Sequence, residues 1–490
     1  MGEERMPLFR PGFNGSVVVE ARPERLTTEP GAGVVREMLD RVGLVGYLSE
    51  RIKDPRDPDL ITHPLSELLR SELILLAQGW RDQDDADALR DDPALRLSVS
   101  DRRGLAPLEM RPRQEGVRLD KNPEVPDGLP SQPTMSRLQS VLSTKAHRDV
   151  LREALLESAA RRLRSRRGGH RIRYATLDVD SFPVDSYGHQ PGARYNGYYH
   201  RVVFHPLVAH LGETGDIVGA QLRAGNVHTS SEAAEFIHEL LMGVESKICQ
   251  VAAVRMDAGF PEEDLLLSLE GRRTAYVARI KTNEVLKRLA EPYLRRPVGR
   301  RTVEPRTWLY ELSYQADTWE RPRRIVLVVQ ERPGELFLHH FFLVTNYSVD
   351  QMNGDELLEF YRQRGNAENF IGELKSVLDP ALSSAVRTKC QYRGHHPRRR
   401  YQSVDSFAVN EARFLLNALA FNILHGVRQL LAGATRQGWS LQRVRERVLR
   451  VGARVVVHAR RAVLVINQAH ARLWNLLCTK LSRFPAVELT

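Results

Sequence analysis

Between Asp355 and Leu378 the chain reads DELLEFYRQRGNAENFIGELKSVL, and four of its side chains have chemistry to offer: Tyr361, Arg364, Glu368 and Lys375. A carboxylate can hold a hard cation, two cations can grip anionic oxygens, and a phenol can position either. Drawn as one helix, the four share an arc of roughly 60°. Phe370, Ile371, Leu374, Val377 and Leu378 lie mostly on the other side, where they can face a core. Such a polar stripe, taken alone, is more often a wet helix face than a site. Its meaning depends on what the rest of the chain brings to it.

Two further carboxylates qualify. Asp180, in RIRYATLDVDSF, and Asp257, in CQVAAVRMDAGF, each follow an apolar run at the carboxyl end of a predicted strand. Open α/β sheets gather their ligand and catalytic groups at such ends. With Glu368 they form a set of hard oxygen donors suited to Mg²⁺ or Mn²⁺ rather than zinc. Three carboxylates brought together repel one another unless divalent cations intervene. A pair of ions roughly 3.5–4 Å apart can activate a water or a 3′-hydroxyl and stabilise the leaving oxygen of a phosphodiester. Asp178 and Asp180 sit two apart on one strand and face the same way, so either could be the first ligand. An aspartate at such a position can also be a simple cap or turn. His189, His200, His205 and His210 scatter over a loop and a strand and read as core or surface histidines.

The elements that must position these residues are legible in part. Helices are expected over Gly33–Arg51, Pro64–Trp80, from Ser131 and over Ala146–Arg167, the last ending in five arginines, Arg161, Arg162, Arg164, Arg166 and Arg167. Gly168 and Gly169 stop it. From Arg171 the period changes to that of strands. Strands at 171–182, Tyr198–Leu211 and Asp216–Asn226 precede a helix Ser231–Lys247, the Asp257 strand, a helix from Pro261 and a fifth strand, Thr274–Ile280. The order describes an α/β core with a mixed sheet, a meander followed by βαβ crossovers. Three strand-like runs between about Asn283 and Asn346 form an arginine-rich β insertion. In RAGNVH, Gly225 is expected at a left-handed turn with a capped helix start at Thr229 or Ser230; Arg223, Asn226 and His228 could instead support phosphate. The apolar helix Asp405–Leu431, a hairpin Gly452–Asn467 and a helix Gln468–Phe484 close the chain. The corresponding segments are 1–145, mainly helical and a candidate DNA-binding region; 146–169, a linker helix; 170–282, the first part of the core; 283–348, the insertion; 349–403, the Glu368 helix with a basic loop; and 404–490, helical with a hairpin.

Composition narrows the class. With 490 residues, a formal net charge of +11 and 72 Lys+Arg against 61 Asp+Glu, the chain is a multi-segment globular protein suited to a polyanionic partner. Cys249, Cys390 and Cys478 are too far apart in sequence for a disulfide framework or a zinc site, which fits a reducing cytoplasm. No signal peptide and no membrane span are expected.

The spacing Y-x2-R-x3-E-x6-K, with LDVDSF, YNGYYHRVVFHPLVAHL, RAGNVH and VRMDAGF in that order before it, resembles the bacterial DDE insertion-sequence transposases that carry the YREK signature. The resemblance is clear from about Arg171 to Leu378. It implies a ribonuclease H-like mixed-sheet core with a β-strand insertion, flanked by an N-terminal helical domain and a C-terminal helical region. It also implies Asp180, Asp257 and Glu368 as catalytic metal ligands, with Asp178 the alternative to Asp180, holding Mg²⁺ or Mn²⁺, two ions. Tyr361, Arg364 and Lys375 would hold DNA phosphates, joined by Arg300, Arg301 and Arg323 from the insertion. The expected activity is cutting double-stranded DNA at the terminal inverted repeats of the protein's own element and joining those ends to target DNA, as a homodimer on DNA. A catalytically inactive DNA-binding regulator and a nuclease of the same fold without transposition are the alternatives. A carboxylate-pair glycosidase fits poorly with so basic a chain.

Overall fold

A computed structural model describes residues 9–112, 124–126, 128–164, 172–186, 189–296, 303–380, 382–383, 406–435 and 438–485. Arg166, Arg167, Arg300, Arg301, Cys390 and the basic loop Lys389–Tyr401 lie outside them.

The helix expected over Gly33–Arg51 is two helices, α1 (Ala32–Val42) and α2 (Leu44–Arg51). Gly43 divides them at φ 66°, a left-handed backbone that glycine adopts without penalty. Helix α3 (Leu65–Gln78) follows, then α4 (Gln132–Leu142) with proline in its first turn, and α5 (Lys145–Arg164). These helices share one apolar core with the chain's far end: Met38, Leu69 and Leu155 belong to the same cluster as Phe414, Phe421 and Leu424. The two terminal helical regions are therefore packed as one layer.

Against that layer lies an eight-stranded sheet. Its strands are β1 (Tyr174–Ser181), β2 (Leu207–Leu211), β3 (Ile217–Gln221), β4 (Gln250–Met256), β5 (Ala275–Ile280), β6 (Arg306–Tyr314), β7 (Arg323–Glu331) and β8 (His339–Thr345). The spatial order is β6-β7-β8-β5-β4-β1-β2-β3. Strands β1, β4 and β5 run parallel, joined through α6 (Ala233–Lys247) and α7 (Glu263–Gly271), and every other pairing is antiparallel. The order expected from sequence, three strands, helix, strand, helix, strand, is present. The insertion adds its three strands to the edge of the same sheet, through β8 on β5.

The expected strand Tyr198–Leu211 is divided. Arg201–Phe204 joins a small sheet with Val184–Asp185 and Arg194–Asn196, while β2 begins after Pro206. Proline cannot donate to a ladder, so the run cannot continue through it. The edge strand β3 is covered rather than exposed: Asn422 accepts from Ile217 N and donates to Ile217 O, both at 2.8 Å. Asn422 lies in the long helix α10 (Ser406–Leu431), which follows the two helices of the Glu368 region, α8 (Gly354–Arg362) and α9 (Gly365–Glu373). By length and composition Ser406–Ala434 could cross a membrane, but 83% of its apolar window is buried inside the protein.

The Glu368 stretch is not one continuous helix. A capping box at Asn353 and Glu356 starts α8, the chain turns at Gln363–Arg364, α9 follows, and Leu374–Leu378 closes as a π-helical turn. Arg255, on β4, explains the break. Its Nη1 donates to Phe360 O at 2.8 Å, the carbonyl that an unbroken helix would offer to Arg364 N, and Arg364 N donates to Tyr361 O instead. A side chain inserted into the helical ladder is a recognised cause of such a kink.

Candidate active site

Strands β1 and β4 are neighbours with Met256 opposite Val179, so Asp257 leaves the end of β4 beside Asp180 on β1. Helix α9 brings Glu368 to the same end. Arg364 lies among the three: Nη2 donates to Asp180 Oδ2 at 2.7 Å and Nη1 to Glu368 Oε1 at 2.6 Å. The Arg364 side chain is buried, 7% exposed, whereas the Glu368 side chain is 61% exposed. Burial pushes the Asp180 carboxyl up to about 6 despite Arg364 and the Ser181 N–H, and the charges of Asp257 and Glu368 add to the rise. Tyr361 is also near: burial lifts its hydroxyl to about 12, and it feels the charges of Arg364, Asp257 and Glu368. Lys375, in the π turn, has its ammonium 5.6 Å from the Phe182 ring centre; burial lowers its pKa, and Asp180 is among the charges it senses. The four residues of the helix stripe are thus gathered, but by a kink and not by one helical arc.

Asp178 has a different environment. Arg255 grips it with Nε on Oδ1 at 2.6 Å and Nη2 on Oδ2 at 2.8 Å, and both side chains are 2% exposed. Between the two aspartates that face the same way, Asp178 is engaged in the sheet and Asp180 opens toward the site. Arg255 was the positioning residue that sequence reasoning passed over. Its signal was an arginine inside an otherwise apolar strand, which demands a buried anion nearby.

Other expectations are corrected. Arg323, expected on DNA, is buried: it pairs with Glu263 and Glu270 and lies over the Trp319 ring, tying β7 to α7. Arg223 is also buried and donates to the His205, His228, Thr229 and Ser231 carbonyls, so it shapes the loop and is not available for phosphate. Gly225 is not at positive φ; a Cβ there would stand 1.8 Å from Val203 O, so close strand approach is what requires glycine. The helix after it starts from Glu232, with no side-chain cap. Of the histidines, His205 and His210 are buried and His189 and His200 are exposed.

Beside the carboxylates runs an open cleft of about 720 Å³ that includes Ser181 and Asp257. Asn226, His228, Arg279 and Lys281 line it. Among the described residues, no three His, Cys, Asp or Glu side chains stand close enough to hold one metal ion. The donors nonetheless suit a hard divalent cation. They are anionic oxygens, one of them on a buried carboxylate, and a guanidinium already supplies the compensating positive charge between two of them.

Fold and site together define a mixed α/β protein whose sheet presents paired aspartates to a helix carboxylate, rimmed by arginine, lysine and tyrosine. The chain belongs to the transposase DDE domain group 1 family, whose model matches residues 9–486. A solved piggyBac transposase synaptic complex with hairpin DNA is similar at 12% identity and a TM-score of 0.39, covering 95% of this chain and 87% of that one. No curated protein matches the chain.

Proposed function

We propose that this protein is a DNA transposase that cuts the ends of its own insertion sequence and joins them to target DNA. The observation that supports the reading is Arg364 bonded to both Asp180 and Glu368 at the end of β1, with Asp257 following directly on the paired strand β4. Asp180, Asp257 and Glu368 would hold Mg²⁺ or Mn²⁺, two ions. When bound, such ions supply Lewis-acid stabilisation of phosphate oxygens and a strong oxygen nucleophile at neutral pH. Arg364 neutralises two of the carboxylates and is available to a phosphate once a cation replaces it there. Tyr361 and Lys375 orient the DNA strand from the same side, and Arg279 and Lys281 extend the positive rim along the cleft. The strand order, with three parallel strands at the centre, supports the ribonuclease H-like core implied by the YREK resemblance. Synapsis of two element ends calls for at least a dimer on DNA, in a bacterial cytoplasm.

The test is strand cleavage on duplexes carrying the inverted repeats that bracket the gene. Asp257→Ala and Glu368→Ala should each abolish nicking in Mg²⁺ while binding to the same ends stays largely intact. Nicking by either variant at the wild-type rate would remove the triad assignment. Absence of inverted repeats and of a short target duplication would favour a nuclease instead.

A further inference from the structure

One part of the cleft has no role in that scheme. The sequence RYNGYYHR forms the hairpin end of strands Arg194–Asn196 and Arg201–Phe204, with Tyr195 on the first strand and Tyr198 in the turn, and its aromatic rings line the same cleft as Asp257. Tyr198 is 85% exposed and Tyr195 is 59% exposed, so neither ring is stabilised by burial. The hairpin carrying them is nevertheless firmly built, with Tyr195 opposite Val202 in the ladder. Asn196, itself buried, accepts from Tyr198 N at 3.0 Å and from Tyr199 N at 3.3 Å, and its amide donates to Gly225 O at 2.7 Å. Tyr199 stands edge-on to Tyr198, with ring centres 5.0 Å apart, and edge-on to His205 at 5.8 Å. The Tyr199 hydroxyl, its pKa raised chiefly by burial, also senses the charges of Tyr198, Asp180 and Asp257, so the loop borders the carboxylates. Arg279, Lys281 and His228 line the same cleft, with Lys281 Nζ 3.1 Å from His228 Nε2.

Aromatic faces held rigidly in water next to a row of cations are the elements that bind unpaired nucleotides: rings stack on bases while cations follow the backbone. A paired duplex hides its base faces and offers such rings nothing to stack on. We propose that Tyr195 and Tyr198 form a stacking platform for an unpaired base of the DNA strand beside the scissile phosphate. The platform would hold that strand out of the duplex while its backbone passes Arg279 and Lys281 toward Asp257. The inference rests on the DNA-cutting reading and adds a substrate feature to it, local strand separation at the cut.

The experiment compares binding of two fluorescein-labelled duplexes by anisotropy, one blunt and one with a four-nucleotide single-stranded tail. Ca²⁺ replaces Mg²⁺ to keep the DNA uncut. The wild type should prefer the tailed duplex. The double variant Tyr195→Ala/Tyr198→Ala should bind the tailed duplex about tenfold or more weakly, given the typical loss of one base–aromatic stack, and the blunt one within about twofold. Tyr195→Phe/Tyr198→Phe keeps the rings and should keep the preference. A preference that survives the alanine pair, or that is absent from the wild type, overturns the platform. Loss of the preference in the phenylalanine pair overturns it too, because the hydroxyls would then be the contact. Loss of self-association in sedimentation with unchanged DNA binding would assign the rings to a contact between copies. If the wild type binds neither duplex, the transposase reading fails and the platform falls with it; tail-independent binding with normal cleavage would defeat the platform alone.

Discussion

Arg364 and Asp180 form a 2.7 Å ion pair at the carboxyl end of β1, and the second arm of the same guanidinium holds Glu368 at 2.6 Å. The arginine of the signature thus stands where positive charge is needed between two candidate metal ligands. A cation and an arginine compete for the same oxygens.

Arg364→Ala should therefore tighten Mn²⁺ binding by the DNA-free protein about tenfold, equivalent to ~1.4 kcal/mol, as read by titration calorimetry. Cleavage of end DNA should fall at the same time, because the released guanidinium is lost to phosphate. Weaker Mn²⁺ binding by the variant would mean that Arg364 assembles the carboxylates instead of occupying them.

The Arg255–Asp178 pair reaches beyond the sheet. Breaking it by Asp178→Asn strands a buried guanidinium, and a loss of about 3–5 kcal/mol in denaturant unfolding is expected. The double variant Asp178→Leu/Arg255→Leu should recover much of that stability, yet cleavage should stay low. Phe360 O and Gln363 Oε1 would have lost the donor that bends the Glu368 stretch. Full activity in the stable double variant would show that the kink does not depend on Arg255.

His210 gives a pH signature. It is buried against Phe370 and Phe421, neither ring nitrogen has a hydrogen-bond partner among the described residues, and burial pushes its pKa down to about 3. Its unfolded counterpart titrates near 6.5. The unfolded chain thus takes up a proton that the folded protein resists, so stability is complete above about pH 6.5 and declines as pH falls toward about 3. His425, also driven to about 3 mainly by burial, contributes in the same direction. His210→Phe should flatten the fall of Tm between about pH 6.5 and 4.5 without removing it. An unchanged slope would place the proton-linked loss elsewhere.

Much of the site could be read from the chain itself. Apolar runs ending at Asp180 and Asp257, and the spacing of Tyr361, Arg364, Glu368 and Lys375, are local patterns, and helix and strand periods turn such patterns into positions. Which charges are spent internally is not local. Arg323 and Arg223 look in sequence like any other arginines of a basic chain, and only their carboxylate and carbonyl partners from distant segments reveal them as structural. The same holds for Asp178 and Asp180, equivalent by strand parity until Arg255 takes one of them. The sequence by itself determined the element order, the positive charge and the residues able to hold a cation or a phosphate. Tertiary structure alone decided the kink at Arg364, the extension of the central sheet by the insertion and the aromatic lip of the cleft. Each depends on a side chain or strand edge meeting a partner far along the chain, and periodicity carries no information about such meetings.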